Sequence, residues 1–374
     1  MTESLTARPS LDLTQDVVAL TAAICDIPSV SGTEQALADA VQTALEPLAH
    51  LEVTRVGNVV VARTDLGRAE RVILAGHLDT VPLTDPPNLP TRLVDGVLWG
   101  RGTVDMKGGV AVQLRLAHDI SAPSRDVTYI FYDNEEVESS ASGLGHLARS
   151  HPELLAADFA VLLEPTKAQI EGGCKGTLRV EVRVTGKAAH SGRPWAGDNA
   201  VHKAAPILAL LRDYEARVVD VDGLTFHEGL SAVGIRGGVA GNVIPDECIV
   251  TVNYRFAPDR SAREAFEHVQ ELFGDYDIRL TDSAGGARPG LDLPAARDFV
   301  REVAQAGVGA DGTPRAPLTV TAKEGWTDVA RFAELGIAAV NFGPGDPMLA
   351  HQDEEHVPIE QLAEAESGLR RWLG

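Results

Sequence analysis

The chain has 374 residues, enough for two domains of ordinary size, and 44% of them are apolar, which argues against wholesale disorder. Its 54 Asp and Glu outnumber 33 Lys and Arg, and the formal net charge of -21 disfavours nucleic acid and anionic membranes as partners. Three scattered cysteines, Cys25, Cys174 and Cys248, are too few for a disulfide framework or a cysteine-based zinc site.

The polar start "MTESLTARPSLDLTQD" lacks the apolar stretch of a signal peptide, and no run approaches the ~20 apolar residues of a membrane span. A cytoplasmic protein is therefore expected. "TQDVVALTAAICDI" has helical periodicity, and "SGTEQALADAVQTALEPL" reads as a second helix with Ser31 as its cap. Short apolar runs follow, each ended by turn residues: "NVVVAR", "RVILAG", "VTYIFY", "FAVLL" and, much later, "IAAVNF". Helical patterns such as "GGVAVQLRLAHDI" separate them. Strands alternating with helices predict an α/β domain with a largely parallel sheet.

From about Gly176 the texture changes. "TLRVEVRVTG" alternates strictly between valines and charged residues, the pattern of a strand with one exposed face in an antiparallel sheet. A helix over "DNAVHKAAPILALLRDYEA", strands over "SAVGIRGG" and "CIVTVNYRFA", a helix over "SAREAFEHVQELFG" and a strand over "YDIRLTD" complete a β-α-β-β-α-β order. That order predicts a small inserted domain, after which "SAGGARPGLDLP" leads back to the first.

The candidate chemistry collects at strand exits. "ILAGHLDT" places His77 and Asp79 two apart past an apolar strand, on one side in extended geometry. An aspartate there is suited to accept the second ring N–H of a metal-bound histidine. Asp105 lies in glycine-rich "GRGTVDMKGG", Glu135 and Glu136 follow "YIFYDN", Glu164 ends "AVLLEPT", and His351 lies beyond "AAVNFGPGDPMLAH". Open α/β sheets build their sites at the carboxyl ends of strands. Two histidines and three carboxylates are enough to bind two zinc ions with one carboxylate bridging. Each residue alone reads as structural or solvated in so acidic a chain; their recurrence at strand exits is what singles them out. His356 competes with His351, and "AHQDEEHVP" does not separate them. "GLGHLA" matches a dinucleotide fingerprint but follows polar "VESSAS" where that motif needs a strand, and no G-x-S-x-G elbow of a serine hydrolase is present.

Together, "GHLDTVP", "GRGTVDMKGG", "NEEVESSASG", "LLEPT", "GKAAHSG" and "GNVIPDE" resemble the dinuclear-zinc deacylase and exopeptidase family, from Val30 to His356. Its members include succinyl-diaminopimelate desuccinylases, acetylornithine deacetylases and glutamate carboxypeptidases. The resemblance implies an α/β catalytic domain with a mostly parallel sheet flanked by helices, over 1–175 and 286–374. An inserted α+β ferredoxin-like lid and dimerisation domain would span 176–285. It further implies two zinc ions (cobalt being able to substitute), with His77 and Glu164 on one, Glu136 and His351 on the other, and Asp105 bridging. Glu135 would be the general base, Asp79 the partner of His77, and His190 of "GKAAHSG" an oxyanion donor acting in the partner subunit of a homodimer. Arg255, Asn242, Lys175 and Thr327 would contact substrate. Trp326 departs from the family's substrate loop, and Arg255 shares a strand face with Asn253. The peptide bond between Asp105 and Met106 is expected to be cis. The substrate class is a small N-acyl amino acid. The wording of 171–209 and 240–261 is most similar to the desuccinylases, which implies hydrolysis of N-succinyl-LL-diaminopimelate in lysine and diaminopimelate biosynthesis; acetylornithine deacetylation is the alternative.

Overall fold

The computed structural model describes residues 9–304 and 318–374. The chain divides into two compact units, one formed by Met1–Gly172, Gly290–Thr321 and Arg331–Gly374, the other by Gly173–Pro289 with Ala322–Ala330. The short stretch 322–330, which carries Trp326 and Thr327, thus groups with the second unit.

The first unit is built on an eight-stranded sheet. Its order is Glu52–Val56, Val59–Arg63, Asp126–Tyr132, Arg71–His77, Phe159–Leu162, Ala338–Asn341, Ile170–Gly172 and Val320–Ala322. The four central strands run parallel, as their buried, nearly continuous apolar runs predict. Antiparallel pairings attach Val59–Arg63 and Ile170–Gly172 on either side. Helices Val17–Cys25, Gln35–Leu45, Lys107–Asp119 and Ile359–Leu373 share one apolar core with these strands. Val17–Cys25 is capped by Asp16, whose carboxylate accepts from Ala19 N–H at 2.8 Å. Ser31 does not cap the second helix as expected. That helix starts at Gln35, and the Ser31 hydroxyl is committed elsewhere, to Asp79.

Helix Lys107–Asp119 sits very close to the sheet. A Cβ on Gly109 would lie 2.2 Å from the Leu163 carbonyl oxygen, and one on Gly343 would lie 2.3 Å from the same oxygen. Two glycines therefore let neighbouring segments close on the strand exit that leads to Glu164.

In the second unit four strands form an antiparallel sheet in the order Gly229–Gly237, Glu247–Phe256, Gly176–Thr185, Asp277–Ala284. Leu178, Val180, Val182 and Val184 point inward, while Arg179 and Arg183 face out. Each buried valine stabilises this layer by roughly 1.5–3 kcal/mol. Helices Ala205–Arg212 and Ala262–Phe273 cover the inner face through Ile207, Leu211, Ala265, Val269 and Phe273. The second of these opens with a reciprocal cap between Ser261 and Glu264. The single helix expected over 198–216 is instead Ala200–Lys203 followed by Ala205–Arg212. Pro206, which has no N–H to donate, lies in the first turn of the latter and forces a restart there. A hairpin of Val218–Val221 and Leu224–His227 was not anticipated. No helix among the described residues is long and apolar enough to cross a membrane.

Candidate metal centre

Three neighbouring parallel strands aim their carboxyl ends at one place. His77 is the last residue of Arg71–His77, Glu164 lies two past Phe159–Leu162, and Glu135 and Glu136 follow Asp126–Tyr132. Asn134, with φ at +57°, turns the chain just before the two glutamates, and His351 has φ at +64°. Positive φ is uncommon outside glycine and tolerated best by Asn, Asp and His. Asp105 enters from the loop before helix Lys107–Asp119, and its bond to Met106 is cis, as the resemblance implies.

The side chains form two trios that share Asp105: His77, Asp105 and Glu164, and Asp105, Glu136 and His351. Asp105 Oδ1 lies 3.1 Å from His77 Nε2, and its Oδ2 lies 3.4 Å from His351 Nε2. His77 Nε2 is 4.0 Å from Glu164 Oε1, and His351 Nε2 is 3.0 Å from Glu136 Oε1. Donor atoms around one tetrahedral zinc ion, at bond lengths of ~2.0–2.2 Å, sit roughly 3.3 Å apart. The spacing, the nitrogen and oxygen donors, and the division of one carboxylate between two trios all suit a pair of divalent cations.

The electrostatics agree with that fit. Burial alone would depress the His77 ring, but the Asp105 and Asp79 carboxylates outweigh it and hold the ring well above its ordinary value. Asp105 and Glu136 push His351 up to about 10, against a smaller burial effect. Burial works against the Asp105 anion too, yet His351 and His77 keep it below the usual carboxylate range. Carboxylates that favour a proton on these imidazoles favour a bound cation in the same way, and a cation would take the place of the proton on the donor nitrogen.

Asp79 lies behind this cluster, fully buried. His77 Nδ1 is 3.0 Å from the Asp79 carbonyl oxygen and 3.5 Å from its Oδ1, so an Nδ1–H tautomer leaves Nε2 facing Asp105. The same carboxylate accepts from the Glu135 N–H at 3.0 Å, the Glu136 N–H at 3.1 Å and the Ser31 hydroxyl at 2.7 Å. Glu34, also buried, accepts from the N–H groups of Gly32 and Asn134 at 2.8 and 3.3 Å and ties the same loop down. Glu355 accepts from the Val104 and Asp105 N–H groups and pairs with Arg101. Sequence reasoning missed Glu34, Arg101 and Glu355, and gave Ser31 a different role; no local spacing marks any of them.

His356 is not part of the cluster. It stacks on Trp99 with ring centroids 4.1 Å apart, in a small sheet of Arg92–Val94, Val97–Trp99 and His356–Pro358. "GLGHLA" forms the start of a helix, Gly143–Ser150, capped by Ser142.

The remaining candidates belong to the second unit. His190 is exposed and pairs with Val243 in a two-residue ladder, while the Asn242 carbonyl accepts from Ser191 N–H at 2.9 Å. "GKAAHSG" and "GNVIPDE" are thus brought side by side. Arg255 Nε donates to Asn253 Oδ1 at 3.0 Å, on the strand face expected for both. Lys175 Nζ donates to the His227 carbonyl and lies against Glu324 Oε2, each at 2.7 Å. Thr327 is buried, and its carbonyl accepts from Cys174 Sγ at 3.6 Å. Trp326 Nε1 donates to the Gly285 carbonyl at 3.1 Å.

Residues 73–373 match peptidase family M20/M25/M40. The chain belongs to this family. It is 53% identical over 367 residues to a Mycobacterium tuberculosis protein provisionally named succinyl-diaminopimelate desuccinylase, covering 97% of this chain and 99% of that one. It is 46% identical over 376 residues to the Corynebacterium glutamicum succinyl-diaminopimelate desuccinylase, covering 98% of each. Among solved structures, a Staphylococcus aureus tripeptidase has the same fold at a TM-score of 0.77 and 20% identity, covering 97% of this chain and 98% of that one.

Proposed function

We propose that the protein is a zinc-dependent amide hydrolase that cleaves N-succinyl-LL-diaminopimelate to succinate and LL-diaminopimelate in the cytoplasm, for lysine and diaminopimelate biosynthesis. The observation that carries the metal chemistry is the sharing of Asp105, one oxygen facing His77 and the other His351. The succinyl substrate is supported by the near full-length similarity to desuccinylases.

His77 and Glu164 would hold one zinc, Glu136 and His351 the other, and Asp105 both. When bound, the ions polarise the amide carbonyl and make water a better nucleophile at neutral pH. Glu135 takes the proton of the attacking water and returns it to the leaving amine. Asp79, by accepting from the N–H of both glutamates, fixes where Glu135 stands relative to Glu136. His190 stabilises the oxyanion. Arg255, Asn242, Lys175 and Thr327 are the proposed substrate contacts. Of these, Arg255 is the best suited to a substrate carboxylate, since a guanidinium grips carboxylates through two parallel bonds. Lys175 would have to leave Glu324 to serve.

The second unit is proposed to act as lid and dimerisation domain, and the chain to form a homodimer through it. Supporting this, Gly229–Gly237 is an edge strand whose Val233 and Ile235 are exposed, 59% and 52%. An unpaired apolar edge invites a second strand.

The deciding comparison is kcat/KM on N-succinyl-LL-diaminopimelate against N-acetylornithine with the zinc-loaded protein. The proposal expects the succinyl substrate to be preferred. Preference for the acetyl substrate would transfer the protein to the deacetylases.

A further inference from the structure

Arg101 and Glu355 form an ion pair inside the first unit, 2.8 Å between Nη1 and Oε2, with each residue only 3% and 2% exposed. Neither has a place in the chemistry above. Their positions along the chain are reciprocal. Arg101 lies four residues before Asp105, and Glu355 four residues after His351. Each reaches over to the other's segment.

Glu355 Oε1 accepts from the backbone N–H of Val104 at 3.0 Å and of Asp105 itself at 3.1 Å. The Glu355 carbonyl accepts from Gly100 N–H at 3.0 Å. In the other direction, Arg101 Nη1 donates to the Gln352 carbonyl at 3.2 Å, one residue past His351, and its Nε donates to the Pro82 carbonyl at 3.2 Å. The loop of Asp105 and the loop of His351 are therefore fastened together by charge-assisted hydrogen bonds that run in both directions between them.

We propose that Arg101 and Glu355 are positioning residues, a lock that sets Asp105 against His351 and so determines how tightly the Asp105–Glu136–His351 trio holds its ion. The inference rests on the metal-centre reading above. The two trios differ in what supports them. His77 and Glu164 leave neighbouring parallel strands at the centre of the sheet, so their placement is fixed by the core. His351 follows the 3-10 turn Pro347–Leu349, and its side chain is 53% exposed. Without the lock Asp105 loses the acceptor of its N–H, and His351 loses its tie to that loop. Only Glu136 of this trio then stays fixed, whereas the other trio keeps both His77 and Glu164. A purely structural ion pair would weaken both trios alike or neither.

Removing one partner would strand a buried charge and unsettle the fold in general, so the test compares neutral pairs. Arg101→Met with Glu355→Leu removes the lock and the acceptor of the Val104 and Asp105 N–H groups. Arg101→Met with Glu355→Gln removes the ion pair but keeps an acceptor oxygen. Arg101→Lys keeps the charge and is the variant least disruptive to folding. Its single ammonium cannot reach Glu355, Gln352 and Pro82 at once.

Zinc affinities are measured by chelator competition on metal-free protein without substrate, with thermal midpoints of the metal-free variants as the folding control. The parent should bind two ions. The Met/Leu pair should lose roughly 10–100-fold in affinity for one ion and distinctly less for the other, whose trio shares only Asp105 with the lock. The Met/Gln pair should recover part of that loss, and Arg101→Lys should weaken the same single ion. Equal weakening of both ions, or two unaltered ions in any folded variant of the set, overturns the lock and leaves the metal centre standing. A parent that binds fewer than two ions overturns the metal centre and the lock with it.

Discussion

The carboxylate of Asp79 accepts a hydrogen bond from the backbone N–H of Glu135 at 3.0 Å, 56 residues along the chain. Its other oxygen accepts from Glu136 N–H at 3.1 Å and from the Ser31 hydroxyl at 2.7 Å, while His77 Nδ1 stands 3.5 Å from the first. One buried anion thus orients a proposed metal-binding histidine and also the turn that carries the proposed base and a proposed ligand. Two adjacent glutamates can serve one site in different ways because something behind them fixes both.

Replacing Asp79 should therefore damage more than the histidine. Asp79→Ala is expected to lower kcat by ~10² or more and to weaken zinc by roughly 10–100-fold, read by steady-state kinetics and metal analysis. Ser31→Ala removes one hydrogen bond to that carboxylate and should cost about 1.5–3 kcal/mol of stability with both ions retained. A Ser31→Ala protein with parental stability would show that its hydroxyl does nothing for Asp79.

The two glutamates should be separable. Glu135→Gln is expected to lower kcat by at least ~10² with zinc content near that of the parent, whereas Glu136→Ala should weaken or lose one ion. The reverse pattern would exchange their roles.

What could be read ahead of the structure follows from range. The valine and charge alternation of 177–184 is local, and the sheet face it predicts is present. The apolar runs that end at His77, before Glu135 and before Glu164 are local too, and their exits meet because parallel strands share a carboxyl edge. Ser31 reads as a cap because a serine before a helix looks the same whether it caps that helix or bonds Asp79, 48 residues away. Glu355 was one acid among several in "HQDEEHVP", and only the return of that loop onto Asp105 distinguishes it. His351 and His356 are likewise inseparable in sequence, and only the fold sends the first to Asp105 and Glu136 and stacks the second on Trp99.

Gly109 carries a stability prediction. Alanine favours a helix interior by ~1 kcal/mol over glycine, yet a Cβ at this position would sit 2.2 Å from the Leu163 carbonyl oxygen. Gly109→Ala should thus destabilise by about 1–3 kcal/mol and displace the neighbouring Glu164, weakening one ion. Thermal unfolding and zinc titration of the variant check both parts. A more stable variant with parental zinc affinity would refute the close approach.

His190 is expected to act in the partner's site, and mixing two inactive variants tests it. His190→Ala keeps its own Glu135, and Glu135→Ala keeps its own His190. Random exchange of symmetric dimers makes about half of them mixed, each with one complete site of two, so activity should return to about a quarter. With exchange confirmed independently, a mixture that stays inactive would place the histidine in its own subunit, and a monomer by light scattering would end the idea.

The most direct test of the central claim is hydrolysis of N-succinyl-LL-diaminopimelate by metal-free protein as zinc is added back. The metal-free protein is expected to be inactive, with activity restored at the second equivalent of zinc per chain. Full activity in the metal-free protein, or none on this substrate with two ions bound, would contradict it.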